Sequence, residues 1–245
     1  MPPGNFLNMV ATPSGGHSQL MDRVYRRQRH IYDLTRKYYL FGRDKVIRDL
    51  GLRPGAKLVE IGCGTARNLI EIARRYPDVR LYGLDASAEM LRTAEESVKR
   101  AGIGACVLRQ GYAEALDGLT FGQESAPFDH ALFSYSLSMI PDWQGALAAA
   151  ASVVKPEGSI DIVDFGDLAG LGPIAESALL SWLRLFHVKP RAELLQAIEP
   201  VARDLGGGLW VAPGRYAFAW RCSPADLVRL RLTSVAEWSQ SLTKP

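Results

Sequence analysis

Residues 58–67 read Leu58-Val59-Glu60-Ile61-Gly62-Cys63-Gly64-Thr65-Ala66-Arg67, a short apolar run that passes through two glycines into a helical pattern. Glycine lets a backbone turn where a Cβ would clash and lets it approach a ligand closely. A lone Gly-x-Gly also fits a plain strand-to-helix turn, so the surroundings decide. No Lys-Ser/Thr follows, which excludes a phosphate-gripping loop, and Ala66 stands where the dinucleotide fingerprint has its third glycine. The loop is poorly suited to a pyrophosphate.

Two acids narrow the choice. Asp85 ends the next apolar run, Leu81-Tyr82-Gly83-Leu84-Asp85, twenty-one residues past Gly64. A carboxylate there reaches the ribose hydroxyls of an adenosine lying across the strand ends. Glu60 sits inside its own strand, where an acid needs a donor or a cation to offset its burial. A salt bridge to an arginine would serve, and so would the amino group of S-adenosylmethionine, whose sulfonium adds positive charge nearby. Two carboxylates on adjacent strand ends suit that cofactor better than NAD, whose phosphates they would repel.

Working outward, the pattern predicts strands at 57–61, 80–84, 106–109, 130–135 and 159–164, with helices starting near Thr65 and Ser87 and another over 143–154. Two further strands, 209–212 and 216–221, hinge at Pro213-Gly214 as an antiparallel hairpin, and 173–186 and 190–204 read as helices. The expected fold is α/β: a Rossmann-like, seven-stranded, mostly parallel sheet with helices on both faces. Upstream, apolar positions at helical spacing (Leu20, Val24, Ile31, Leu34, Tyr38, then 44–50) predict an N-terminal helical cap. The expected divisions are a tail at 1–17, the cap at 18–53, the core at 54–222 and a C-terminal helix and tail at 223–245.

The chain has 245 residues, enough for one α/β core with extra helices. No apolar run approaches the roughly 20 residues that span a bilayer, and residues 1–17 lack the pattern of a signal peptide. Three cysteines without CxxC spacing argue against a disulfide framework and a zinc site. The expected location is cytoplasmic. Residues 22–53 carry ten Lys/Arg against four Asp, a net +6 within a total of +3. Such a block fits a solvated helix face or an anionic partner, a membrane surface or nucleic acid.

The stretch 59–85, with Phe128-Asp129-His130-Ala131-Leu132-Phe133-Ser134 and Val154-Lys155-Pro156-Glu157-Gly158-Ser159, resembles the successive motifs of class I methyltransferases over about residues 55–165. The resemblance implies S-adenosylmethionine as cofactor, with contacts from Glu60, Gly62, Cys63, Gly64, Asp85, Ala86, Met90, Tyr112, Ala113 and Ser134, and no metal. Tyr112 departs from the family pattern, which commonly has an acid there. That leaves the adenine amino contact to Glu114 or a main-chain carbonyl.

Four further segments extend the likeness: Ile31 to Asp44, Ser134 to Trp143, Val163 to Asp167 and Phe186 to Arg191. Together they resemble the bacterial methyltransferases of betaine lipid synthesis, from about Leu20 to Trp220. That resemblance implies an acceptor, the head-group amine of diacylglyceryl homoserine, methylated successively to the trimethylated lipid. An amine attacks a sulfonium methyl in line, so positioning carries most of the rate. Each added methyl enlarges a cation that aromatic faces attract. Tyr135 and Trp143, after the fourth strand, are candidates for such faces. Tyr32 is another, on the stripe Tyr25, Tyr32, Tyr39, which ordinary helix packing also explains. His187, a single histidine at a Pro-bounded turn, is the third candidate catalytic residue beside Tyr135 and Tyr32.

On this reading the basic block holds the protein peripherally at an anionic inner membrane surface, although Arg36 and Lys37 also suit the homoserine carboxylate. Phosphatidylethanolamine or another small amine is the alternative acceptor, and a non-catalytic cofactor- or lipid-binding module the alternative class. Nucleic acid is not expected, since no Asn/Asp-Pro-Pro-aromatic tetrad follows the fourth strand.

Overall fold

A computed structural model describes residues 40–122, 126–184, 188–206 and 208–230. The tail at 1–17, most of the expected cap and the segment 231–245 lie outside the described residues. The elements in chain order are α1 (Arg43–Asp49), β1 (Lys57–Ile61), α2 (Arg67–Arg75), β2 (Arg80–Asp85), α3 (Ala88–Arg100), β3 (Cys106–Gln110), β4 (Phe128–Ser134), α4 (Trp143–Val153), β5 (Val154–Phe165), α5 (Pro173–Arg184), α6 (Ala192–Asp204), β6 (Leu209–Val211) and β7 (Ala217–Cys222). Residues 224–230 are helical.

The strands form one seven-stranded sheet in the order β3-β2-β1-β4-β5-β7-β6. β1 to β5 pair in parallel, and β7 runs antiparallel to both β5 and β6. The expected hairpin is therefore present, with its second strand inserted between β5 and its first. β5 is longer than the pattern predicts. Val154 pairs with Phe128 and Ser159 with His130, so residues 155–158, ahead of the expected start at 159, are an irregularity inside a paired strand.

Alternation along the strands sorts the side chains into two layers. Val59, Ile61, Ala131, Phe133, Ile160 and Ile162 pack with α4, α6 and the 224–230 helix. Leu58, Leu81, Leu132, Val163, Ala217 and Ala219 pack with α1, α2, α3 and α5. Glu60 and Asp85 follow the second set by period, so both point to the layer of α1 to α3. Two helices start where a side chain accepts an orphan amide: Ser87 from Met90 N–H (3.3 Å) and Asp142 from Gly145 N–H (2.9 Å).

Candidate functional site

The glycine turn is held from below by the second strand. Gly62 and Cys63 both donate their N–H groups to the Leu84 carbonyl, at 2.8 and 3.0 Å. Gly62, Gly64 and Ala66 all have positive φ, 78°, 55° and 62°. At Gly62 close approach adds to the conformational demand, because a Cβ there would stand 2.5 Å from the Ser136 Cβ. The loop after β1 and the loop after β4 thus touch, as two strands flanking a shared cleft should.

Asp85 closes the other side. Its carboxylate accepts Gly64 N–H at 2.8 Å and Ser87 N–H at 2.9 Å, tying the glycine turn to the tip of β2. Carboxylate oxygens also suit the hydroxyls of a ribose. Glu60 is 1 % exposed and accepts from the Asn68 amide at 2.6 Å. The Asn68 carbonyl oxygen faces Arg67 Nη1 at 3.4 Å, and Arg67 reaches Asp44 on α1 at 3.2 Å. A neutral amide thus supplies a donor to Glu60, the need for which sequence reasoning had offered an arginine. Burial pushes the Cys63 thiol well above its ordinary range, and Asp85 and Glu60 push it further.

The lip of the cleft carries hydroxyls. Ser134 and Ser136 are buried, and their Oγ atoms have no hydrogen-bond partner among the described residues. Buried hydroxyls, two carboxylates and a cradle that one Cβ would fill fit the amino-acid and ribose parts of S-adenosylmethionine. Met90 is buried on the first turn of α3, and the Ala86 carbonyl accepts from Gln110 Nε2 at 3.1 Å. Tyr112 precedes a short 3₁₀ turn whose first residue, Ala113, is buried and whose second, Glu114, is exposed.

Beyond the glycine turn lies a run of packed aromatic side chains. Tyr135 has φ 55°, a left-handed conformation unusual for a bulky side chain, and is 2 % exposed. Such strain concentrates at ligand-handling positions. Its hydroxyl donates to the Phe41 carbonyl at 2.6 Å. Its ring meets Phe165 edge-on at 4.8 Å, Phe165 meets Tyr216 at 5.8 Å, and Tyr216 meets Phe41 at 5.4 Å. Residues 40–43 form the roof of this run: Gly42 lies so close to the Trp210 ring that a Cβ would come within 2.7 Å. Arg43, 6 % exposed, is near enough to act on the Tyr135 phenol, whose pKa burial raises well above its usual value.

Asp164, at the end of β5, underpins the β4 loop. It accepts Ser138 N–H at 3.1 Å and Phe165 N–H at 2.8 Å. Burial outweighs these bonds and pushes its carboxyl up to about 6. Next along the chain, Asp167 holds Arg215 through two contacts of 2.7 Å, and Arg215 also reaches Glu199 on α6. This fixes the loop after β5 to the turn before β7.

The structure thus brings Glu60, Gly62, Cys63, Gly64, Asp85, Ser134 and Tyr135 to one end of the sheet. Tyr32 and His187 lie outside the described residues. Trp143 is corrected: it packs in the layer of α4 and α6, whereas Tyr135 packs in the opposite layer, so the two do not form one aromatic wall. Sequence reasoning placed Phe41, Arg43, Ser136 and Asp164 in the segments that extend the resemblance without singling them out, and did not reach Tyr216. The left-handed Tyr135 had no warning in its residue type, and Arg43 was hidden in the basic block.

Comparison with known proteins bears on this arrangement. A family model described as a methyltransferase domain matches residues 58–158. The demethylmenaquinone methyltransferase of Geobacillus kaustophilus is 32% identical over 151 residues, 58% of this chain and 62% of that protein. The chain therefore spans about three fifths of that relative's length. The nocamycin O-methyltransferase of Saccharothrix syringae is 30% identical over 210 residues, covering 82% of this chain and 70% of that protein. Among solved structures, a SAM-dependent methyltransferase from Aquifex aeolicus shares the fold with a TM-score of 0.55 and 19% identity, covering 82% of this chain and 96% of that one. With the O-methyltransferase relative matched over 70% of its length and the methyltransferase-domain model matched at the glycine turn and the strands after it, the chain belongs to the class I S-adenosylmethionine-dependent methyltransferases.

Proposed function

We propose that this methyltransferase acts on the amine of a homoserine lipid head group, converting diacylglyceryl homoserine to diacylglyceryl trimethylhomoserine by successive N-methylations. The observation that carries the reading is the aromatic run Tyr135–Phe165–Tyr216–Phe41 beside the Gly62–Ser136 contact, with the buried Arg43 guanidinium at its edge. Aromatic faces attract an ammonium without donating to it, and the attraction survives as methyl groups replace N–H. A guanidinium suits the carboxylate that a homoserine head group carries and an ethanolamine lacks.

The cofactor, when bound, supplies an electrophilic methyl group on a sulfonium. Glu60, Asp85, Gly62, Gly64 and Ser134 are the residues proposed to bind and orient it, with Cys63, Ala86, Met90, Tyr112 and Ala113 as the surrounding wall. Tyr135 shapes the acceptor side and, with Phe41, excludes water. The attacking nitrogen must be neutral, and an α-amino group with a pKa near 8 is only about a tenth neutral at pH 7. Burial against aromatic faces lowers that pKa and raises the reactive fraction. Methyl transfer would join the nitrogen lone pair to the methyl carbon with the thioether as leaving group; in the first two rounds the product ammonium would give up an N–H proton to water, and the third would leave a quaternary ammonium with none to lose, so no strong base is required.

Peripheral contact with an anionic membrane belongs to the same proposal. Among the described residues no helix is long and apolar enough to cross a membrane. Phe41 (57 % exposed) forms part of the roof, and Ile174 (86 % exposed) follows the loop after β5. Both suit insertion at a bilayer surface, to which the Lys/Arg excess of residues 22–53 in the sequence would add attraction for anionic lipid.

A second reading, methylation of a ring carbon or hydroxyl, is favoured by the names of the relatives, a demethylmenaquinone methyltransferase and an O-methyltransferase. One assay separates the two. Purified protein with labelled S-adenosylmethionine is offered vesicles holding diacylglyceryl homoserine, phosphatidylethanolamine or a demethylated quinone. Mono-, di- and trimethylated homoserine lipid is the expected product. Label entering only the quinone or only phosphatidylethanolamine overturns the proposal.

A further inference from the structure

Asn68 is 8 % exposed on the first turn of α2, where a helix packed on a sheet ordinarily presents an apolar side chain. Its neighbours do so: Leu69 and Ile72 are fully buried. The sheet is shaped to receive this turn. Gly83 pairs with Glu60 in register, and a Cβ at Gly83 would stand 2.8 Å from Leu69 Cδ1 and 2.9 Å from Cys63 Sγ. The missing side chain lets the start of α2 settle onto β1 and β2, and the Asn68 amide then lies 2.6 Å from Glu60 Oε1.

A buried amide beside a buried carboxylate costs desolvation that two apolar side chains would avoid. The carboxylate accounts for a polar residue at this position. The amide can face only one way: its Nδ2 donates to Glu60, and its Oδ1 meets Arg67 Nη1 at 3.4 Å. Turned over, it would set oxygen against carboxylate and N–H against guanidinium. An amide also holds a carboxylate without cancelling its charge, as a lysine or arginine in its place would. We infer that Asn68 is a positioning residue for cofactor binding, fixing the Glu60 carboxylate in the orientation that meets the amino group of S-adenosylmethionine. The inference rests on the proposed role of Glu60 in that contact, and Asn68 acts only through it.

Calorimetry on the full chain with two ligands tests this. S-adenosylhomocysteine carries the amino-acid chain, and 5′-methylthioadenosine is the thionucleoside without it. Asn68→Ala and Asn68→Leu both remove the donor, the second keeping the branched shape. Each should weaken S-adenosylhomocysteine on the order of 10-fold and leave methylthioadenosine within about twofold of the parent. Glu60→Ala should show the same selectivity with a larger loss. A merely structural Asn68 would loosen the glycine turn and cost both ligands alike. Equal losses for the two ligands in both Asn68 variants therefore overturn the inference, as does parental S-adenosylhomocysteine affinity in both while Glu60→Ala is weakened. Parental affinity in Glu60→Ala would instead strike the role of Glu60, and that of Asn68 with it.

Discussion

Two halves of one sheet end do different work. Around β1 and β2, Glu60 and Asp85 are held by groups close to the strand tips: an amide on the first turn of α2 and the backbone of the glycine turn. Around β4, β5 and β7, the aromatic run is assembled from residues 41, 135, 165 and 216, mostly far apart in the chain and joined through ring edges. The first half is short-range and rigid, which suits a cofactor that never changes. The second depends on long-range packing, which suits an acceptor that differs between enzymes of one fold.

The largest effect expected from that contrast is confined to the first half. Glu60→Ala and Asp85→Ala should each weaken S-adenosylhomocysteine binding at least 100-fold, about 3 kcal/mol, because each removes a charged hydrogen-bonding group from a buried site. Isothermal calorimetry reads this directly, and near-normal binding by both variants would refute the assigned pocket. A smaller effect should be confined to the second half. Tyr135→Phe deletes the bond to the Phe41 carbonyl and should lower stability by about 1 kcal/mol. It should raise the acceptor KM several-fold while leaving cofactor affinity unchanged. Equal losses for cofactor and acceptor would erase the distinction between the halves.

A further effect concerns pH. Burial raises the Asp164 carboxyl from 3.8 to about 6 against the opposing hydrogen bonds from Phe165, Ser138 and Leu137. The folded protein therefore binds this proton more tightly than the unfolded chain. Its stabilising contribution is complete below about pH 4 and is lost as pH rises through about 6. Asp164→Asn, neutral throughout, should gain stability relative to the parent between those values and hold the gain above them. Urea midpoints for both proteins from pH 4 to 8 check the sign, and a constant difference would show that Asp164 does not titrate in that window.

Much of the first half was legible because its signals are local. The apolar run into Gly62 and Gly64 and the acid at the end of the next run each depend on a few consecutive residues, and the strand alternation set which face they share. The order of β6 and β7 was less legible. A hairpin follows from Pro213-Gly214, but which of its strands meets β5 is decided by packing across the sheet. The aromatic run was not legible at all, since no spacing in the sequence links Phe41 to Tyr216. Trp143 was misjudged for a related reason. It follows Tyr135 closely in the chain, yet the intervening loop carries it to the other layer.

The roof at residues 40–43 precedes β1 in the chain and rests on Trp210 and Tyr216 near the other end of the fold. On the proposed function, acceptor preference is written in these outer pieces, before and after the strands that carry Glu60 and Asp85. Exchanging those outer pieces between related enzymes offers a route to new substrates in which the Gly62 turn and its acidic partners stay untouched.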